Sequence, residues 1–166
     1  ELSVSPQAEA LLKNYESLRL KIYSDKTKRE ITQYEKGATI GYGHLISTPQ
    51  EFEIYRTGIS EMKANEMYHA DASRFEKDVK KLITAEITQN EYDAVLMLAF
   101  NIGAGDPVKN SGLASSTVLR IINGTSNSDL DNSWMAWRNS DGRVSNGLIS
   151  RRKSELNIFH NGVYAR

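Results

Sequence analysis

Apolar residues first recur at Ala8, Leu11, Leu12 and Tyr15, the i, i+3, i+4, i+7 spacing of a helix with one buried face. Ser5-Pro6 stands just before it. Serine is a good cap, and proline in the first helical position lacks only an amide that would have no partner there. The helical period stops near Glu16-Ser17. Beyond it Leu20, Ile22 and Ser24 alternate with Arg19, Lys21 and Tyr23, the period of two that marks a strand. Lys26–Lys36 is charged and turn-prone, apart from a short β-like Glu30-Ile31-Thr32. Gly37–His44 then reads as a returning strand interrupted by glycine, giving a hairpin or a three-stranded sheet.

After Thr48-Pro49 the pattern is helical almost to the end. A long amphipathic segment from Ser60 passes through Met62, Met67, Phe75, Val79, Leu82 and Ile83. Thr88-Gln89-Asn90-Glu91 has the capping-box spacing and opens the most apolar helix, which stops at Gly103-Ala104-Gly105. A helix apolar around most of its circumference belongs inside a core. Ser116–Asn123, Leu130–Arg138 and Leu148–Phe159 predict three further helices, separated by Gly124 and Gly142-Arg143. There is no internal repeat, low-complexity tract or linker. The expected class is α+β: a single domain over 1–166, with a small sheet lobe at about 17–60 and a helical lobe at about 1–16 and 61–166, joined by the long helix.

The 166 residues suffice for a real core, and 39% hydrophobic with 25% charged residues is ordinary for a globular chain. Lys+Arg and Asp+Glu both number 21, which argues against a nucleic-acid partner, whose binding needs clustered positive charge. Cysteine is absent, so disulfides are excluded. No apolar run approaches the roughly 20 residues of a membrane span, and the N-terminus lacks the basic and apolar regions of a signal peptide, so export would depend on other factors or on a further part of a longer parent chain. No spare apolar helix face is evident, which predicts a monomer. His44, His69 and His160 lack metal-ligand spacing, and no phosphate loop or Ser-His-Asp order is present; neither metal nor cofactor is expected.

The chemistry concentrates in 16–44. Glu16 falls at a helix end and Asp25 at a strand end, so two acids sit on different kinds of element rather than along one solvated face. Two carboxylates in different surroundings can hold different pKa values, which glycosidic hydrolysis needs. Each has a plain alternative: a helix-end glutamate, a turn aspartate.

The run Glu16-Ser17-Leu18-Arg19-Leu20-Lys21-Ile22-Tyr23-Ser24-Asp25, followed by Thr39-Ile40-Gly41-Tyr42-Gly43-His44, resembles the phage-type lysozymes of glycoside hydrolase family 24. Asp93–Gly105, Ser116-Thr117-Val118-Leu119, the pair Trp134 and Trp137, and Gly147–Glu155 resemble later segments of the same family, in consistent order. The resemblance implies a cleft between a sheet-bearing lobe and a helical lobe. It also implies hydrolysis of the β-1,4 bond between N-acetylmuramic acid and N-acetylglucosamine in peptidoglycan strands of a target cell wall or periplasm, generally with inversion. Carried over by position, Glu16 is the proton donor, Asp25 the second acid and Thr39 the residue beside the attacking water. Gly41, Tyr42 and Gly43 would meet the sugar closely, or the glycines mark a bulged strand; Asn101 could bind an N-acetyl group or cap a helix end, and Ser116 and Thr117 could either bind sugar or cap a helix. His44 would pair with Asp71, and Arg151, or else Arg152, would stand near Glu16.

Two departures from the family pattern stand out. Ser17 occupies a position where glycine is usual, and the gap between Asp25 and Thr39 is longer by about a hairpin turn. The longer form is reminiscent of lysozyme domains within bacterial antagonism effectors, in which case a cognate immunity protein is implied. The competing functions are a lytic transglycosylase acting on the same bond, which needs only one Glu, and a non-catalytic peptidoglycan-binding module.

Overall fold

Ser5 starts the first helix as the sequence predicts: its hydroxyl accepts from the Ala8 N–H (3.1 Å), and α1 runs Pro6–Glu16. The computed structural model describes residues 1–166 and divides into two units, Leu12–Arg74 and Glu1–Leu11 with Phe75–Arg166. We call them the sheet unit and the helical unit. The divisions fall inside α1 and inside the long helix α3 (Glu61–Leu82).

In the sheet unit, β1 (Arg19–Ser24), β2 (Ala38–Gly41) and β3 (His44–Leu45) form an antiparallel sheet in that order. The interruption expected between Gly37 and His44 is a tight turn that makes the sheet three-stranded: β2 ends at Gly41, and Tyr42-Gly43 turn the chain so that Ile40 pairs with His44. The predicted alternation along β1 also fails. Leu20 is exposed while Ile22, Tyr23 and Ser24 are all buried, because an irregularity between Arg19 and Tyr23 shifts the register. The Lys26–Lys36 segment adds to the outer edge of β1, with Ile31 N–H on the Ile22 carbonyl (3.1 Å) and Ser24 N–H on that of Arg29 (2.9 Å). Ile22, Ala38, Ile40, Ile46, Phe52 and Met67 make this unit's core, closed by α2 (Pro49–Tyr55), whose Thr48 cap accepts from Glu51 N–H.

In the helical unit, α4 (Gln89–Ile102) carries the predicted capping box in both directions and buries every residue from Tyr92 to Ala99. A 3₁₀ turn (Leu113–Ser115), α5 (Thr117–Ile122), α6 (Leu130–Met135) and α7 (Asn146–Asn161) follow. The helix expected over Leu130–Arg138 stops at Met135. Residues beyond it enter a small hairpin of β4 (Asn139–Ser140) and β5 (Arg143–Val144), with Asp141 and Gly142 both at positive φ in the turn. Asp93, fully buried on α4, accepts from Ser5 N–H (3.1 Å), Ser5 Oγ (2.6 Å) and Gln89 Nε2 (2.8 Å), and from the Tyr164 hydroxyl. One carboxylate thus ties both ends of the chain to the central helix. No helix is long and apolar enough to cross a membrane.

Candidate active site

α1 stops at Glu16 because Ser17 turns into the left-handed region (φ 58°), its N–H held by the Lys13 carbonyl at 3.1 Å. Glycine reaches that conformation without penalty, and serine does not. The helix end delivers Glu16 to a cavity of about 600 Å³ within the sheet unit. Tyr15, Ser17, Arg19, Tyr23, Asp25, Lys28, Thr39, Gly43 and Leu45 complete its lining. Glu16, Asp25 and Thr39, separated in sequence, therefore share one cavity.

Gly43 (φ 86°) accounts for the fit at Glu16. A Cβ there would stand 3.1 Å from Glu16 Oε2, tighter than ordinary contact, so only glycine leaves the carboxyl its full room. Gly41, expected to admit a sugar, holds φ 71°, which glycine adopts without strain, and a Cβ on it would make only ordinary contact with Ala64 and Ile59 at 3.6 Å. Tyr42 packs edge-on to Tyr68 (5.8 Å between centroids), with Lys13 Nζ 5.5 Å from its own ring.

Asp25 follows β1 directly. Its N–H donates to the Gly37 carbonyl (2.9 Å), and its Oδ1 accepts from Lys28 Nζ (2.9 Å), while the side chain stays 66% exposed. Thr39, opposite Tyr23 in the register, is buried and donates its hydroxyl proton to the Gly37 carbonyl at 2.8 Å. With that proton committed, the Thr39 oxygen can act toward the cavity only as an acceptor. Tyr23 lies under the Arg19 guanidinium (4.2 Å to the ring centroid), and burial pushes its phenol above the ordinary range, keeping it neutral.

His44 Nδ1 lies 2.6 Å from Asp71 Oδ2, and its Nε2 lies 2.9 Å from Glu51 Oε2. A ring with a carboxylate on each nitrogen is best satisfied as the imidazolium, donating both ways. The hydrogen bond to Asp71 raises its pKa, against the opposing effect of burial and with help from Glu51. Glu51 was missed from sequence, although Thr48-x-x-Glu51 carries the same cap spacing as Thr88-x-x-Glu91. No group of three His, Asp or Glu side chains is arranged to hold a metal.

The other expected site residues belong to the helical unit. Ser116 is buried and acts as a cap: its hydroxyl donates to the Leu113 carbonyl (2.8 Å) and accepts from Leu119 N–H (3.0 Å). Thr117 accepts from Arg120 Nη2 at 2.9 Å. Asn101 Oδ1 accepts from Arg152. Arg151 donates to Glu155 (3.0 Å) and to the Met97 carbonyl (2.9 Å). Trp134 is fully buried and donates to Glu155 at 2.9 Å.

The sequence profile described as Phage lysozyme matches residues 13–155, a span that includes all three cavity residues Glu16, Asp25 and Thr39. The chain belongs to the phage lysozyme family. It is 30% identical over 158 residues to the endolysin of Salmonella phage P22, covering 95% of this chain and 98% of that one. The endolysin of Bacillus phage B103 is 34% identical over 161 residues, which is 97% of this chain and 55% of the relative. The chain thus spans about half the length of that curated relative. Among solved structures it is similar to the muramidase domain of SpmX from Asticaccaulis excentricus, with TM-score 0.72, 26% identity, and 97% and 99% of the two chains covered. The fold is the lysozyme-like α+β fold.

Proposed function

We propose that this member of the family is a peptidoglycan hydrolase of muramidase type, cleaving the β-1,4 bond between N-acetylmuramic acid and N-acetylglucosamine in the wall of a target bacterium. The observation that carries the reading is the shared cavity of Glu16, Asp25 and Thr39. Glu16, in its carboxylic acid form, gives its proton to the glycosidic oxygen as the bond to the anomeric carbon breaks. The Asp25 carboxylate takes a proton from a water molecule whose oxygen bonds to that carbon from the opposite face. The Thr39 oxygen, its own proton already engaged, accepts from the same water and fixes its direction. The leaving sugar gains a hydrogen and the muramic carbon gains a hydroxyl with inverted configuration. Gly43 gives the ring access beside Glu16, and Tyr42, Asn101 and Thr117 are further proposed sugar contacts.

A lytic transglycosylase would use one acid and close a 1,6-anhydro ring, leaving Asp25 and Thr39 without a task. Digestion of purified sacculi followed by mass spectrometry separates the two, because hydrolysis leaves fragments heavier by one water. Reducing muramic ends are expected. Anhydro ends would overturn the hydrolytic reading, and intact sacculi would favour a binding module.

A further inference from the structure

Lys28 lies in the segment that lengthens the Asp25–Thr39 gap, yet it lines the cavity with both. Its backbone takes φ 62°, a left-handed conformation in which glycine or asparagine would be more comfortable. The turn around it is held from several sides. Lys28 N–H donates to the Ser24 carbonyl (2.7 Å), Ser24 N–H to that of Arg29 (2.9 Å), and Thr27 N–H to Ser24 Oγ (3.3 Å). Arg19, stacked on Tyr23, donates from Nη1 to the Lys28 carbonyl at 3.2 Å. A turn so bound sends Nζ back to Asp25 Oδ1 at 2.9 Å, while the second oxygen, Oδ2, takes no hydrogen bond within the protein.

We propose that Lys28 is a positioning residue for the Asp25 carboxylate: it holds Oδ1 and so fixes the direction in which Oδ2 meets the attacking water. The inference rests on the hydrolytic reading above and deepens it. Both side chains are about two-thirds exposed, at 67% and 66%. An exposed pair contributes little to folding, so its geometry rather than its stabilisation is what the site can use. When a glycan strand covers the cavity and excludes water, the same contact strengthens, which concentrates the effect in the reacting complex.

The test compares Lys28→Met, Lys28→Arg and Lys28→Gly with the unaltered chain on purified peptidoglycan, each also in an Asp25→Asn background. Lys28→Met is expected to lower kcat roughly tenfold with KM changed less than about twofold and the unfolding midpoint unmoved. Lys28→Arg, which keeps the cation, should recover most of the rate. Lys28→Gly, which relaxes the backbone but removes the ammonium, should be as slow as Lys28→Met. In the Asp25→Asn background Lys28→Met should add no further loss, since a residue acting through Asp25 has nothing left to orient. Unchanged kcat in Lys28→Met, or a full tenfold loss persisting without the Asp25 carboxylate, would overturn the proposal. Glu16→Gln and Asp25→Asn serve as controls for the parent reading. If both lose most of their rate, leaving a measurable residue, while Lys28→Met is normal, only the positioning role falls; if Glu16→Gln is fully active, both readings fall.

Discussion

Glu155 in the helical unit and Asp25 in the sheet unit are both carboxylates paired with basic residues a few positions away, and they have opposite surroundings. Glu155 is completely buried, receives Trp134 Nε1 and Arg151 Nε, and lies 3.3 Å from Arg152 Nε. Burial pushes its carboxyl upward in pKa, against the pull of Arg152 and then Arg151. Asp25 lies mostly in solvent with one oxygen held by Lys28. A carboxylate with every oxygen matched in the interior organises structure, and one left half-matched at a cavity can still accept a proton from water. Charge alone does not distinguish them. The number of open lone pairs and access to solvent do.

The comparison is tested most severely at Glu155. Glu155→Gln removes the carboxylate from between two buried guanidinium groups, for which a loss of about 3–5 kcal/mol is expected. Urea unfolding measures it. Asp25→Asn should cost less than about 1 kcal/mol, the usual range of an exposed pair, and act on rate instead. Equal stability losses at the two positions would erase the distinction.

His44 stands between these extremes, with 17% of its side chain exposed and a carboxylate at each ring nitrogen. Its folded pKa is raised above the unfolded value of about 6.5. The resulting stability is fully present below about pH 6.5 and is lost as pH rises through the folded value. His44→Asn should therefore be destabilised by about 1–2 kcal/mol in mild acid, after allowing for solvent screening. The gap from the parent protein should shrink at alkaline pH. A Tm difference that stays constant with pH would contradict this assignment.

The smallest effect concerns the helix end that presents Glu16. Ser17 holds φ 58° where glycine would do so without strain, so Ser17→Gly should raise stability by up to about 1 kcal/mol. A loss would mean that the serine hydroxyl contributes something its backbone does not reveal.

Local signals in the sequence were readable where one cap or one period decided the outcome. Ser5-Pro6 and Thr88-x-x-Glu91 start α1 and α4, and the apolar circumference of α4 foretold its burial. Non-local effects were not readable. The register shift in β1 that exposes Leu20 depends on pairing with β2, which a period of two cannot anticipate. Gly41 and Gly43 look equivalent in sequence, yet after the turn between β2 and β3 only Gly43 lies close against Glu16. Lys28 was hidden because a charged turn ordinarily reads as solvated surface; only the fold returns its ammonium to Asp25. Ser116 reads in sequence as sugar contact or cap, and its hydroxyl serves as the cap of α5.

The central claim, that proton donation by the side chain at the end of α1 drives glycan cleavage, is tested most directly by Glu16→Gln. The measurement is the rate of reducing-end release from purified sacculi, taken with the unfolding midpoint of the same preparation. The account predicts a rate lower by about 10²–10⁴-fold, the contribution of a general acid, in a protein that unfolds as the parent does. A folded variant that still cleaves at the parental rate would contradict it.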